Sequence, residues 1–355
     1  MATDERQPLL SERSVDGGEA EDLEQHPLDD AEETTYTASM LLIIRDMQRL
    51  AKGSKHKFVR STRIACALGL IWILIGIQVF LLIEIKIFVT SPSVGAIREV
   101  YDAYQKIMYD SHVRDSGFGF SLGIGGPKGP YFNEANFKHI PKDQADVVCS
   151  IPFSQPEYLG VILLIWSLTV IGEVKTCCRY LRWLWSVDSV PLSNVLAHAD
   201  REGGENDFND VSVIGLPKWL KIFLASGMVL PRLLVAVLLG WLGCRWLAST
   251  LSFAECLINA VALEFVIALN TLLYDMLMSD RNKRELNNMK MSIEYEGVQE
   301  PSALAYLGTF AWGFIALSWV VLYIFRLQMV LPGYQWDVKG PCAVANGSKY
   351  SFWRI

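Results

Sequence analysis

Three stretches of the chain are apolar over lengths that match a bilayer. A helix needs about 20 mainly apolar residues to cross roughly 30 Å of hydrocarbon. Residues 64–89, 158–174 and 304–326 meet that need, the second with help from its flanks. The stretch 219–277 is too long for one helix and holds no polar loop. It therefore predicts two helices joined by a tight turn, at 219–246 and 247–277. Arg232 and Arg245 lie 13 residues apart, about 20 Å along a helix. Either one arginine sits inside the membrane or both snorkel toward opposite faces. Starting this span at Pro231, with Trp219–Leu230 lying on the surface, leaves the count unchanged. The predicted fold class is all-α: a polytopic helical membrane protein with five transmembrane helices and short amphipathic interfacial helices.

The segments between the spans follow. Residues 1–44 carry 12 acidic and 2 basic residues and read as a disordered acidic tail, because such a composition buries too little surface to offset ordering entropy. Residues 36–58 read as a short helix leading into a basic strip, and 45–63 as a basic juxtamembrane helix able to touch anionic lipid. Loops are expected at 90–157, 175–218 and 278–303, with a tail at 327–355. Within the first loop, Ile97, Tyr101, Tyr104 and Met108 share one helix face, and Gly117–Gly129 reads as a flexible loop without the GK[ST] of a phosphate loop.

Charge orients the chain. Arg49, Lys52, Lys55, Lys57, Arg60 and Arg63 precede the first span, Lys175, Arg179 and Arg182 follow the second, and Arg281, Lys283, Arg284 and Lys290 follow the fourth. The positive-inside rule then puts the N-terminus in the cytosol and the C-terminus in the lumen. Asn346-Gly347-Ser348, the only N-glycosylation sequon, falls in the predicted luminal tail. No run at the N-terminus resembles a cleavable signal peptide.

Composition narrows the function classes. The chain is 51% hydrophobic and 20% charged, with mean hydropathy +0.25 and formal net charge −6. That balance lacks the basic footprint of a nucleic-acid binder. Seven cysteines in 355 residues are too few for a disulfide scaffold. Cys149 and Cys342 fall in predicted luminal segments, where a disulfide is permitted, with Cys244 as a competitor. Cys177 and Cys178, cytosolic and beside a span, are candidates for palmitoylation; two small residues at a helix end is the plainer alternative. Cys66 and Cys256 read as packing residues. No Cys/His spacing suggests zinc, and no histidine has a catalytic motif partner, so neither a cofactor nor an enzyme is expected.

Glu5-Arg6-Gln7-Pro8-Leu9-Leu10 resembles the acidic dileucine sorting signal, [DE]xxxL[LI]. The resemblance implies a clathrin adaptor as partner, the leucines filling apolar pockets and Glu5 meeting a basic patch. It also implies an endosomal, lysosomal or vacuolar membrane, with the plasma membrane as the alternative.

The fourth span is the chemically suggestive one. It contains Glu255, Asn259, Glu264, Asn270 and Asp275. Charges inside a span face protein or water. Glu255, Asn259 and Asn270 lie on one side of the helix and Glu264, Thr271 and Asp275 on the other, so this helix is expected to be central. Two readings follow. The polar groups line an ion or proton path with Arg232 as countercharge, or Arg232–Glu264 and the asparagines bind helices together. The second makes the protein a structural or interaction component; the first makes it a transporter or channel. Five spans without an internal repeat argue against inverted-repeat transporters. A homo-oligomer remains compatible with both.

Residues 259–265 (NAVALEF) also resemble a segment, NAVALEFVLDIDELLFEAL, of multi-pass membrane proteins of unicellular algae and related protists. The likeness covers about 19 residues and implies architecture more than activity. Glu264 and Asp275 keep the family's acids, whereas Ala268, Asn270 and Thr271 replace Asp, Asp and Glu, which weakens any cation-binding role the group implies.

Overall fold

A computed structural model describes residues 34–109, 132–198, 211–278, 283, 289–290 and 303–346. The dileucine motif, the glycine-rich loop, residues 199–210 and the last two sequon residues lie outside the described residues. Five helices are long and apolar enough to cross a membrane: Lys57–Met108, Pro156–Ser186, Lys218–Ala248, Phe253–Leu277 and Phe310–Leu327.

The elements are α1 (Thr35–Ala51), α2 (Lys57–Glu84), α3 (Ser91–Met108), α4 (Lys142–Ser150), α5 (Pro156–Ser186), α6 (Lys218–Leu224), α7 (Leu230–Ala248), α8 (Phe253–Leu277), α9 (Ala303–Leu322) and α10 (Lys339–Asn346). A small three-stranded sheet (β1 Leu196–His198, β2 Val211–Val213, β3 Met289–Lys290), not expected from the sequence, links two loops. Strands β1 and β2 pair antiparallel, β2 and β3 parallel.

The first span and the helix after it are one continuous rod. A π turn at Ile85–Thr90 joins α2 to α3, giving 52 residues, or roughly 78 Å. That length exceeds the hydrocarbon, so α3 projects beyond it. The expected face is the buried one: Ile97, Tyr101, Tyr104 and Met108, together with Val94.

The third span also runs unbroken from α6 into α7, so Trp219–Leu230 does not lie apart on the surface. A π turn at Ala225–Val229 immediately precedes Pro231. Proline removes one backbone donor and crowds the carbonyl four residues back; widening that turn lets the helix continue. Further along, α7 packs closely on α5. A Cβ on Gly243 would lie 2.5 Å from Trp166 Nε1, and one on Gly240 would lie 2.9 Å from Val170 Cγ1. Glycine at these positions sets how near the two helices approach.

Two ends of the bundle are now distinguishable. At one, Cys149 and Cys342 form a disulfide beside a cluster of Tyr101, Tyr104, Phe153, Tyr334, Trp336 and Phe325 rings. Asp337 is buried there and accepts from the Tyr101 hydroxyl at 3.2 Å and the Tyr109 hydroxyl at 2.8 Å. Arg98 donates to the carbonyls of Met329 and Val330, tying α3 to the chain after α9.

At the other end lies α1, which begins where the short helix over 36–58 is expected to begin, whereas the tail boundary at residue 44 fails. The chain is not a disordered tail to residue 44 followed by a helix over 45–63. Thr35–Ala51 is one helix, capped by Thr34, and residues 35–46 are all buried. The physical reason is in Tyr36–Ile44, which is largely apolar on every side; a helix of that kind belongs in a core rather than on a surface. The helix ends at Lys52, and Gly53 follows at φ 77. This left-handed conformation costs glycine little and lets the chain reverse into α2.

Candidate functional site

Helix α1 enters the bundle with its first turn deepest. The Thr35 N–H donates to Asn270 Oδ1 at 3.1 Å, and its hydroxyl donates to the Asn270 carbonyl at 2.7 Å. Asn270 lies seven residues before the end of α8, about 10 Å along the axis. The Thr37 and Tyr180 hydroxyls share a hydrogen bond of 2.5 Å. The Tyr36 hydroxyl lies 3.5 Å from Gln78 Oε1, and Gln78 donates to the Val266 carbonyl at 3.2 Å. The opening residues of α1 therefore reach polar groups on α2, α5 and α8. The Thr35 N–H bond satisfies one of the backbone donors that the start of any helix leaves unpaired.

Arg232 completes the seat from α7. Its Nη2 and Nε donate to Glu173 Oε2 at 2.7 and 3.1 Å. The guanidinium also sits 4.9 Å from the centre of the Tyr36 ring, a cation–π arrangement. The expected Arg232–Glu264 pair is thus replaced by Arg232–Glu173. Both acids lie on neighbouring helices, but only Glu173 projects toward the interior. A small cavity lined by Tyr36, Met40, Tyr180, Met228, Val229 and Arg232 remains beside the pair.

The far end of α1 is fastened by charge. Asp46 is wholly buried, with Arg63, Arg60 and Arg45 nitrogens at 3.3, 3.6 and 3.7 Å. Gln48 donates to the Ser193 carbonyl at 3.1 Å. The strip read as a lipid-facing basic helix is therefore divided. Arg60 and Arg63 turn inward to Asp46, whereas Lys52, Lys55 and Lys57 remain exposed.

The polar residues of α8 fall into separate environments. Asn270 holds α1. Glu255 is exposed in the first turn, three residues after Ser252, whose hydroxyl caps the Glu255 N–H; this is the capping-box spacing. Asn259 is half-buried. Asp275 is exposed and pairs with Lys283 at 3.0 Å. Glu264 is exposed near the middle of α8 and makes no hydrogen bond or ion pair among the described residues. The expectation that α8 is central is overturned. It is a peripheral helix, buried on the side carrying Cys256, Leu263, Val266, Asn270 and Tyr274. Polar groups on two sides did not require two protein neighbours, because one side meets α1 and the other faces outward. A carboxyl group so placed in hydrocarbon costs about 2.5–3.5 kcal/mol on insertion scales.

The cysteines separate too. Cys177 is buried in the packed face of α5, which removes it as a site for an acyl chain, and Cys178 is half-buried. Cys66, expected to pack, is exposed, while Cys244 and Cys256 are buried. Asn346 is the last residue of α10. Among the described residues no group of three or more His, Cys, Asp or Glu side chains is arranged to hold a metal.

Glu173, Gln78, Tyr180, Asp46 and the threonines of α1 were missed by sequence reasoning. The available signal was the all-round apolarity of Tyr36–Ile44, which marks a helix that must be enclosed and so needs polar partners at its ends.

Five membrane-crossing helices with a sixth helix seated among them define a multi-pass integral membrane protein. Comparison with protein-family models, curated proteins and solved structures finds no match to this chain.

Proposed function

We propose that this protein is a structural or interaction component of an endolysosomal or vacuolar membrane, with the α1 end in the cytosol. The carrying observation is the contrast between its interior and its outer surface. Inside, α1 occupies the space between spans, Arg232 pairs with Glu173, and Thr35 pairs with Asn270. Outside, Glu264 faces away from the bundle. A transport path would need a polar route reaching Glu264 from one side. The cavity beside Arg232 is lined by α1, α5 and the third span and includes no acid of α8.

Exposed Lys52, Lys55 and Lys57 at the α1 end support the orientation through the positive-inside rule. The disulfide at the opposite end supports it too, because such bonds persist in oxidising compartments. The dileucine motif at Glu5, Leu9 and Leu10 supports the membrane system and the clathrin adaptor.

Flux through vesicles containing the purified chain tests the reading. Proton and ion leakage should equal that of empty vesicles, with wild-type and Glu264→Gln chains indistinguishable. A flux that falls with Glu264→Gln overturns it in favour of a transporter or channel. For location, changing Leu9 and Leu10 to alanine should move the protein to the cell surface; an unchanged distribution overturns the sorting reading.

A further inference from the structure

Basic side chains crowd the turn between α1 and α2. From Thr34 to Arg63 the chain holds seven lysines or arginines and a single acid, Asp46. Asp46 is buried and already faces Arg45, Arg60 and Arg63. Lys52, Lys55 and Lys57 are exposed and make no ion pair among the described residues.

The turn holds these lysines in a fixed frame. The Ser54 N–H donates to the Arg49 carbonyl at 3.3 Å. Its hydroxyl oxygen accepts from the His56 N–H at 3.3 Å and from Arg60 Nε at 2.7 Å. Helix α2 then starts with no side-chain cap at His56 and no acid in its first turn, so its backbone donors add positive potential at the same place. Two apolar side chains complete the surface: Phe58 and Val59, directly after Lys57, are 84 and 54% exposed. Phe58 precedes the apolar stretch 64–89 by six residues, about 9 Å of helix, close to the thickness of a headgroup layer. Cation and apolar group therefore meet where the first span leaves the hydrocarbon.

We propose that this surface binds an anionic phospholipid of the cytosolic leaflet, its headgroup over Lys52, Lys55 and Lys57 and its acyl chains against Phe58 and Val59. Charge complementarity and depth select this occupant. Lysines without a counter-charge at a membrane surface attract anions, and a free phosphate would leave Phe58 and Val59 without an apolar partner. The chain's own acidic segment offers nine acids in residues 16–33, with Leu23 and Leu28 as the only large apolar side chains there. It matches the lysines and not the apolar pair. A phospholipid joins both chemistries at the depth where the turn presents them. The site goes beyond the reading of the chain as an interaction component and takes from it only which leaflet supplies the lipid.

Native mass spectrometry of the full-length chain in detergent, titrated with dioctanoyl phosphatidylserine or dioctanoyl phosphatidylcholine, tests the site independently of orientation. Wild type should hold at least about fivefold more phosphatidylserine than phosphatidylcholine at equal concentration. Changing Lys52, Lys55 and Lys57 together to glutamine should bring the ratio below about twofold, and changing them to arginine should keep it. Changing Lys175, Arg179 and Arg182 to glutamine removes the same charge from the cytosolic end of α5 and should leave the ratio within about twofold of wild type. Phe58→Ser should lower phosphatidylserine retention about threefold.

Equal retention of the two lipids overturns the proposal, as does an equal loss in the α5 variant, which would make the preference one of overall charge. Inorganic phosphate that displaces the phosphatidylserine overturns it in favour of a free anion. Carbodiimide treatment, which joins a lysine amine to a touching carboxylate, tests the remaining occupant. Amide links from Lys52, Lys55 or Lys57 to acids of residues 1–33 that persist at saturating phosphatidylserine overturn the lipid in favour of the chain's own acidic segment. Failure of the lipid preference leaves the flux and sorting results standing, and Glu264-dependent flux leaves the lipid site standing.

Discussion

The two ends of this bundle are closed by different physics. At the disulfide end a covalent bond joins α4 to α10, and tilted aromatic rings lie about a buried carboxylate that accepts from tyrosines. At the α1 end no bond in the described residues is covalent between elements. A helix is seated by hydrogen bonds to Asn270 and Tyr180, by the Arg232–Glu173 pair beneath it, and by Asp46 among three arginines. The first closure keeps its covalent bond whatever the charge of its side chains. The second is made of charge and hydrogen-bond geometry, so single substitutions reach it.

The largest effect should come from breaking the buried ion pair. Arg232 is 4% exposed and Glu173 23% exposed at their side chains. Removing one partner of such a pair leaves the other uncompensated, at a cost of about 3–5 kcal/mol. Arg232→Leu should therefore lower the thermal midpoint in detergent and expose α1 to trypsin at Arg45 and Arg49. Adding Glu173→Leu should recover most of the stability, because the desolvation of both charges disappears with the pair. A double variant as unstable as the single one would show that α1 depends on Arg232 for more than charge balance.

Cys342→Ser should come next. The bridge joins residues 193 apart, and losing a native disulfide costs about 2–5 kcal/mol. The comparison makes a sharper claim about place: trypsin should reach the disulfide end sooner while α1 stays protected. Coupled loss of protection at both ends would mean that the closures are one cooperative unit.

Alkali should separate the ends by another route. Burial, and then the nearby Asp337 charge, pushes the Tyr334 phenol well above its ordinary value of 10.0. Its hydroxyl donates to the Phe153 carbonyl at 2.9 Å. The folded protein thus holds a proton that the unfolded chain releases near pH 10. Stability from this group is complete below that pH and declines as pH rises above it, by about 1.4 kcal/mol per unit. Denaturant midpoints measured from pH 9 to 11 should fall for wild type and fall less for Tyr334→Phe.

How much of this was legible depends on the range of the forces involved. The five spans, and the face Ile97–Tyr101–Tyr104–Met108, rest on local periodicity and length, which a single sequence carries. The Cys149–Cys342 bond was within reach because topology leaves few partners in one compartment. The partner of Arg232 was not within reach. Glu173 and Glu264 are both acids on other helices, and only packing decides which one projects inward. The burial of α1 was hidden because its apolar run follows a strongly acidic segment and is shorter than a span. The outward position of Glu264 was hidden by the rule that charge in a span faces protein or water, which pointed its side chain inward.

The smallest effect concerns the deepest contact of α1. Thr35→Val keeps the shape of the side chain and the backbone donor to Asn270 Oδ1, and removes only the hydroxyl bond to the Asn270 carbonyl. A single neutral hydrogen bond is worth about 1 kcal/mol net, so the thermal midpoint should shift by only a few degrees. Hydrogen exchange at the first turn of α1 should quicken several-fold while exchange near Asp46 does not change. If both ends of α1 quicken together, the helix leaves its seat as a rigid body. If only the first turn responds, α1 frays from its deep end and Asp46 is the anchor that keeps it docked.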